Sequence, residues 1–300
     1  MENSLNIQQQ VLLAPYTSWQ IGGPADYFCC PKNIDEMKEA LTQAKKKSWP
    51  VTILGGGSNV LVSDLGVEGL VICMKNLTGL TTAVEDQDFI IEAFSGTTKS
   101  ELLKTYLKNK LAPALFLAGL PGDVGGGVVM NAGVSEQMQP REFGELVAWI
   151  EVLRFDTLKV DRISTQNIQW SYRHSEGWQP GFIVKVRLKW PHQPMPNILE
   201  QVKAANLSRL SKQPLDMPSC GSVFVNPEGF KAAQLIQECG MKGHQVGDAQ
   251  VSIKHSNFIV NLGKATASDT LKVIDNVKAK VLADKKVILK TEVVLLGRGF

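Results

Sequence analysis

The 300-residue sequence contains no CxxC pair, no HxxxH spacing and no apolar run approaching the ~18 residues that cross a bilayer as a helix. Its cysteines, Cys29, Cys30, Cys73, Cys220 and Cys239, are odd in number, which speaks against a disulfide framework and a zinc knuckle. A reducing cytoplasm suits them. The histidines, His174, His192, His244 and His255, are scattered, so no metal centre is expected. No Lys or Arg occurs between Met1 and Pro31, so the basic region of a secretory signal is missing. Charge of one sign is also scarce in excess: 32 basic against 29 acidic residues leave +3. That balance excludes non-specific attraction to nucleic acid or to a membrane surface, so any preference for anions must be local.

What is present is a foldable chain. It is 44% hydrophobic and 20% charged, enough to bury a sizeable core, and its length suggests two domains. Asn33 reads as an N-cap, with Glu36 three residues on, for a helix carrying Ile34, Met37, Leu41 and Ala44. A buried strand Val51 to Leu54 follows, and a second strand begins at Val60. Further strands are expected over 89–93, 149–155, 182–189, 258–260 and 292–296. Helices are expected over 99–108, over a stretch with Leu199, Val202 and Leu210 on related faces, around Leu235–Ile236 with Gly240 as the stop, and around Leu271–Val281. Three prolines within Trp190 to Pro196 mark the domain boundary, giving domains of 1–193 and 194–300. The mixture is α+β.

Two glycine clusters carry the chemistry. Gly55, Gly56, Gly57, Ser58 and Asn59 follow a strand, and six glycines lie between Gly119 and Gly133. Clustered glycines let several N–H groups turn toward one anion, and a phosphate suits such a nest. Val60 stands where a Rossmann fingerprint needs its third glycine, and a strand rather than a helix follows. Val128 stands where a P-loop needs lysine. Neither a linker nor a helix accounts for Val128-Val129-Met130 within the second cluster. What remains is an anion cradle of another type, the alternative for Gly55 to Gly57 taken alone being a plain tight turn.

Several ordered motifs resemble those of the UDP-N-acetylenolpyruvoylglucosamine reductase family: Thr17 to Ala25, Leu54 to Leu61, Gly119-Leu120-Pro121-Gly122, Asn131-Ala132-Gly133, Pro218 to Phe224, Val251 to Asn261 and Glu292-Val293. They cover nearly the whole chain. The resemblance implies an FAD-binding domain of the vanillyl-alcohol-oxidase (PCMH) type, followed by a smaller α+β substrate-binding domain. It also implies reduction, by NADPH through non-covalent FAD, of the enolpyruvyl ether of UDP-N-acetylglucosamine to UDP-N-acetylmuramate in peptidoglycan synthesis. A small nucleotide-sugar substrate, a cytoplasmic location and a monomer go with it.

By the same resemblance, Ser222 is the proton donor, Arg173 the clamp on the substrate carboxylate, and Glu292 the acidic active-site residue, serving a proton relay or the enol acid. Gly55, Gly56, Gly57, Ser58, Asn59, Gly119, Pro121, Gly122, Gly125, Gly126, Asn131 and Gly133 become the cofactor contacts, with Ser58, Asn59 and Asn131 alternatively stabilising their own turns. Lys242 and Lys254 read as solvated, and Trp19 as core. Cys220, Val225 and Val134-Ser135 depart from the family pattern, and Cys220 reads as a small buried thiol. With no Tyr between His174 and Gly221, the chain resembles the shorter branch, which lacks a tyrosine loop. The competing readings are another FAD-dependent oxidase or dehydrogenase on this scaffold, and a non-catalytic nucleotide-sugar binder.

Overall fold

The computed structural model describes residues 5–134 and 139–300; Ser135 lies outside them, as do Met1 and Glu2. In chain order the elements begin β1 (Gln8–Leu12), β2 (Pro24–Cys29), α1 (Ile34–Lys46), β3 (Val51–Leu54), β4 (Val60–Val62), β5 (Val67–Cys73), β6 (Leu80–Glu85) and β7 (Asp88–Phe94). There follow α2 (Lys99–Lys108), α3 (Pro113–Leu117), α4 (Val124–Val129), β8 (Val147–Leu153), β9 (Val160–Ser164), β10 (Gln169–Ser171), β11 (His174–Glu176) and β12 (Phe182–Pro191). The chain continues through α5 (Ile198–Lys212), α6 (Ala232–Glu238), β13 (Gln245–Val246), β14 (Ala249–Val251), β15 (Ile259–Asn261), α7 (Ala267–Lys285) and β16 (Val294–Leu296). No helix among the described residues is long and apolar enough to cross a membrane.

Two compact units interleave along the chain. Of the described residues, the first takes 5–7, 28–56, 71–134 and 139–208; the second takes 8–27, 57–70 and 209–300.

In the first unit a five-stranded antiparallel sheet runs β6-β7-β12-β8-β9. Its buried face packs Ile91, Ile150 and Val186 against Leu102 and Tyr106 of α2, Phe116 of α3 and Val128 of α4. The N-terminus of α1 is capped as expected, the Asn33 side chain accepting the Glu36 N–H at 2.8 Å. Thr98 and Glu101 form a reciprocal capping box at the start of α2. One expectation fails here. The glycine-rich run Val124–Val129 is a helix, α4, although three glycines cost ~1 kcal/mol each relative to alanine in a helix interior. Two features offset that cost. Asp123 caps it, accepting the Gly126 N–H at 2.7 Å, and the missing side chains let the helix lie close to its neighbours. A Cβ on Gly125 would stand 2.9 Å from Ser95 Cβ, and one on Gly127 2.8 Å from the Phe143 ring.

In the second unit β13-β14-β15 form an antiparallel sheet and β4 pairs in parallel with β16. Its core joins Trp19, Leu61, Val223, Phe224, Ile236, Val251, Ile274 and Val281. Trp19 is a core residue, and its indole N–H donates to the Ile259 carbonyl at 2.7 Å. The Asn261 amide returns a bond to the Trp19 carbonyl at 3.0 Å. Asp64 reaches the start of α7, accepting the Ala267 and Ser268 N–H groups at 2.7 and 2.9 Å, where a carboxylate meets the positive end of the helix dipole. The strand expected over 292–296 begins only at Val294. Glu292 instead donates its N–H to Val223, so it belongs to a separate ladder.

Candidate functional site

In the first unit, the two glycine segments touch. Gly55 and Gly56 leave β3 and run against Gly122-Asp123. A Cβ on Gly55 would sit 2.8 Å from Asp123 Oδ2, and one on Gly56 2.9 Å from Gly122 Cα. Gly122 itself has φ +89°, a conformation L side chains rarely adopt. Its N–H meets no acceptor among the described residues, and Pro121 beside it is exposed. Gly119 stands half-buried at the end of α3.

The rest of the second cluster serves the fold instead. Gly125 donates its N–H to the Ser95 carbonyl and Gly126 to the Asp123 carboxylate, so neither amide is left for a cofactor phosphate. Asn131 is wholly buried. Its Nδ2 donates to Glu142 Oε2 at 2.7 Å and to the Ser171 carbonyl at 3.0 Å, while its Oδ1 accepts the Gly144 N–H at 2.9 Å. Its side chain is thus a brace for the loop and not a cofactor ligand. Gly133 offers its carbonyl to Arg173 Nη2 at 3.1 Å.

Arg173 lies in the tight connection between β10 and β11, in left-handed backbone at φ +59°. Its guanidinium packs over the Tyr172 ring at 4.7 Å from the centroid. These two contacts fix a planar, permanently charged fork suited to a carboxylate or phosphate.

Two buried charged groups adjoin the glycines. Lys99 Nζ donates to the Pro121 carbonyl at 2.9 Å. Burial pushes its ammonium down to about 8, opposed by the Asp123 carboxylate and aided by Arg173. Asp123 is itself buried, and desolvation raises it above the usual carboxylate range, opposed by the Gly126 N–H, Lys99 and the Gly56 N–H. Sequence reasoning missed both. Asp123 before an apolar run does carry the N-cap signature. Lys99 carries none, since a lysine opening a capped helix ordinarily points to solvent.

In the second unit, Gly57, Ser58 and Asn59 lead into β4. Gly57 has φ +64°, and a Cβ there would fall 2.0 Å from the Tyr16 carbonyl oxygen. Asn59 Nδ2 donates to the Glu292 carbonyl at 3.0 Å, and the Asn59 carbonyl accepts the Val294 N–H at 3.0 Å. Glu292 N–H donates to the Val223 carbonyl at 2.8 Å, so Glu292 runs beside the segment that begins with Gly221-Ser222. Asn257 braces the other side: its carbonyl accepts the Val223 N–H, and its side chain exchanges bonds with both backbone groups of Phe224 at 2.9 Å. Ser222 is half-buried, after Gly221 at φ +82°. Cys220 is buried, and its thiol is pushed well above its ordinary value by desolvation and then by Glu292. The neighbourhood therefore keeps a neutral thiol next to a carboxylate. Lys242 and Lys254 are exposed.

The chain resembles known proteins in sequence and in fold. A family model for an FAD binding domain matches residues 25–156, and one for the UDP-N-acetylenolpyruvoylglucosamine reductase C-terminal domain matches residues 213–296. A UDP-N-acetylenolpyruvoylglucosamine reductase from Moorella thermoacetica is 39% identical over 287 residues, 96% of this chain and 92% of that protein. One from Prochlorococcus marinus is 37% identical, covering 98% of this chain and 99% of that protein. The crystal structure of the UDP-N-acetylenolpyruvylglucosamine reductase of Thermus caldophilus superimposes with a TM-score of 0.79 at 30% identity, over 97% of this chain and 99% of that one.

Proposed function

Because the chain belongs to the UDP-N-acetylenolpyruvoylglucosamine reductase family and is an FAD-binding oxidoreductase of peptidoglycan precursor synthesis, we propose a specific division of labour among its residues. The substrate is UDP-N-acetylglucosamine enolpyruvate, the reductant NADPH and the product UDP-N-acetylmuramate. The enzyme works as a cytoplasmic monomer, with domains of 1–193 and 194–300.

Bound FAD supplies a two-electron carrier between NADPH and the enolpyruvyl ether. Its pyrophosphate fits the approach of Gly55-Gly56 to Pro121-Gly122, where a Cβ would obstruct backbone contact and the Gly122 N–H lacks a protein acceptor. Gly57 and Ser58 contribute from the strand exit that follows.

Reduction of the enolpyruvyl ether adds a hydride to the terminal vinyl carbon and a proton to the carbon bearing the ether oxygen. Negative charge develops on the carboxylate between the two events. Arg173 meets that charge with a guanidinium already oriented by the Gly133 carbonyl and Tyr172. Ser222 delivers the proton. A hydroxyl is a weak acid in water, but the enol is basic enough to take its proton when the two are held together. Glu292 holds the relay that restores the Ser222 proton. The observation that carries this reading is the 2.8 Å bond from the Glu292 N–H to the Val223 carbonyl, which runs Glu292 beside the segment that carries the serine.

The test is an anaerobic stopped-flow experiment with two half-reactions, following flavin absorbance. NADPH should bleach the flavin, and UDP-N-acetylglucosamine enolpyruvate should restore its colour. Substrate that leaves the bleached enzyme unchanged overturns the reading, and flavin that stays with the denatured protein favours an oxidase on the same scaffold.

A further inference from the structure

We propose that Lys99 is a positioning residue of the cofactor cradle, polarising the Pro121–Gly122 peptide so that its N–H binds the FAD pyrophosphate; this rests on the reading of the glycine loops as an FAD site.

Three observations lead there. First, the Lys99 ammonium is buried and donates to the Pro121 carbonyl at 2.9 Å. That carbonyl and the Gly122 N–H belong to one peptide. A charged donor on the oxygen draws electron density from the nitrogen and strengthens its N–H as a donor. Second, the Gly122 N–H has no protein acceptor among the described residues, in contrast to the amides of Val124, Gly125 and Gly126 beyond it. Third, the loop is pinned from both sides. The Lys99 N–H donates to the Gly122 carbonyl at 3.0 Å, while Asp123 accepts the Gly126 N–H at 2.7 Å and lies against Gly55 and Gly56.

The charges explain why a lysine is tolerated at this depth. Alone, a buried carboxylate beneath a phosphate site would repel its ligand. Lys99 offsets Asp123, and Arg173 adds a second positive charge within range of Lys99. Beside the lysine also lie the Phe143 ring, 5.8 Å from Nζ to its centroid, and Gly127, whose absent side chain leaves room for Lys99 Cε. The charged groups acting on Lys99 are Asp123 and Arg173.

Two roles for Lys99 are separable by experiment. A purely structural lysine would only neutralise Asp123, and removing both groups would then repair everything. A polarising lysine would leave a deficit in cofactor binding after the charge balance is restored. The full-length protein stripped of flavin is titrated with FAD, following quenching of flavin fluorescence, and its melting is measured without FAD. Lys99→Met should lower both stability and affinity. The double variant Lys99→Met/Asp123→Asn should melt within a few degrees of wild type yet bind FAD about ten-fold more weakly. Wild-type affinity should fall as pH rises above about 8, where the free protein loses the Lys99 proton, and the double variant should show no such fall. Wild-type affinity in the double variant, or a pH dependence that survives in it, overturns the proposal. Failure of the wild type to bind FAD at all would instead overturn the cofactor reading beneath it.

Discussion

The side-chain amide of Asn59 donates to the main-chain carbonyl of Glu292 at 3.0 Å, across 233 residues of sequence. With the Asn59 carbonyl accepting the Val294 N–H, the pair sets the parallel register of β4 and β16, in which Val60 stands opposite Val294. A residue that follows the first glycine cluster therefore holds the acid of the proposed relay. Asn59→Ala should cost about 1 kcal/mol of stability, the usual worth of such a bond. It should also slow the substrate half-reaction more than the NADPH half-reaction. Thermal melting and stopped-flow absorbance check this, and equal slowing of both half-reactions would restore Asn59 to a cofactor role.

Gly57→Ala tests whether the first cluster needs its glycines for folding. The new Cβ would lie 2.0 Å from the Tyr16 carbonyl oxygen in backbone at φ +64°. Backbone must move, at a cost on the order of 1–3 kcal/mol. A drop in melting temperature of the flavin-free protein is expected, and an unchanged melt would contradict the close approach.

Ser222→Ala should leave flavin reduction by NADPH intact and slow reoxidation by substrate by roughly 10² to 10⁴, the range of general acid catalysis. Equal loss in both half-reactions would assign Ser222 a structural role. Solvent deuterium should slow reoxidation in the wild type and have less effect in the variant.

Acid should weaken the first unit through Glu92. Its carboxyl is held below the ordinary value of 4.5 chiefly by Lys185, opposed by desolvation and aided by Arg187. The bonds are 2.6 Å to Lys185 and 2.9 Å to Arg187. With the folded-state value depressed, the group stabilises the protein at pH above 4.5, and that contribution is lost as pH falls below it. Glu92→Gln should flatten this part of the acid limb in melts between pH 6 and 3. The pair is partly exposed, so the effect is on the order of 1 kcal/mol or less. An unchanged acid limb would exclude it.

The sequence alone determined the local grammar of this protein. Asn33 and Glu36 announced the start of α1, and the strands β3 and β4 followed from apolar runs on either side of Gly55–Asn59. Ordered motifs placed the chain in its family. Those signals are local, carried by side-chain periodicity, caps and turn residues a few positions apart. Only tertiary structure decided how each polar group is used. It drew α4 through a run of glycines, because an Asp123 cap and tight packing on Ser95 and Phe143 outweigh helix propensity. It turned the Gly125 and Gly126 amides and the Asn131 side chain inward, while Gly122 kept an unmatched N–H. It buried Lys99, which its place at the head of a helix would leave in water, and it ran Glu292 beside Val223 from the far end of the chain. Hydrogen-bond partners and desolvation depend on which segments meet in space, and no spacing along the chain encodes them.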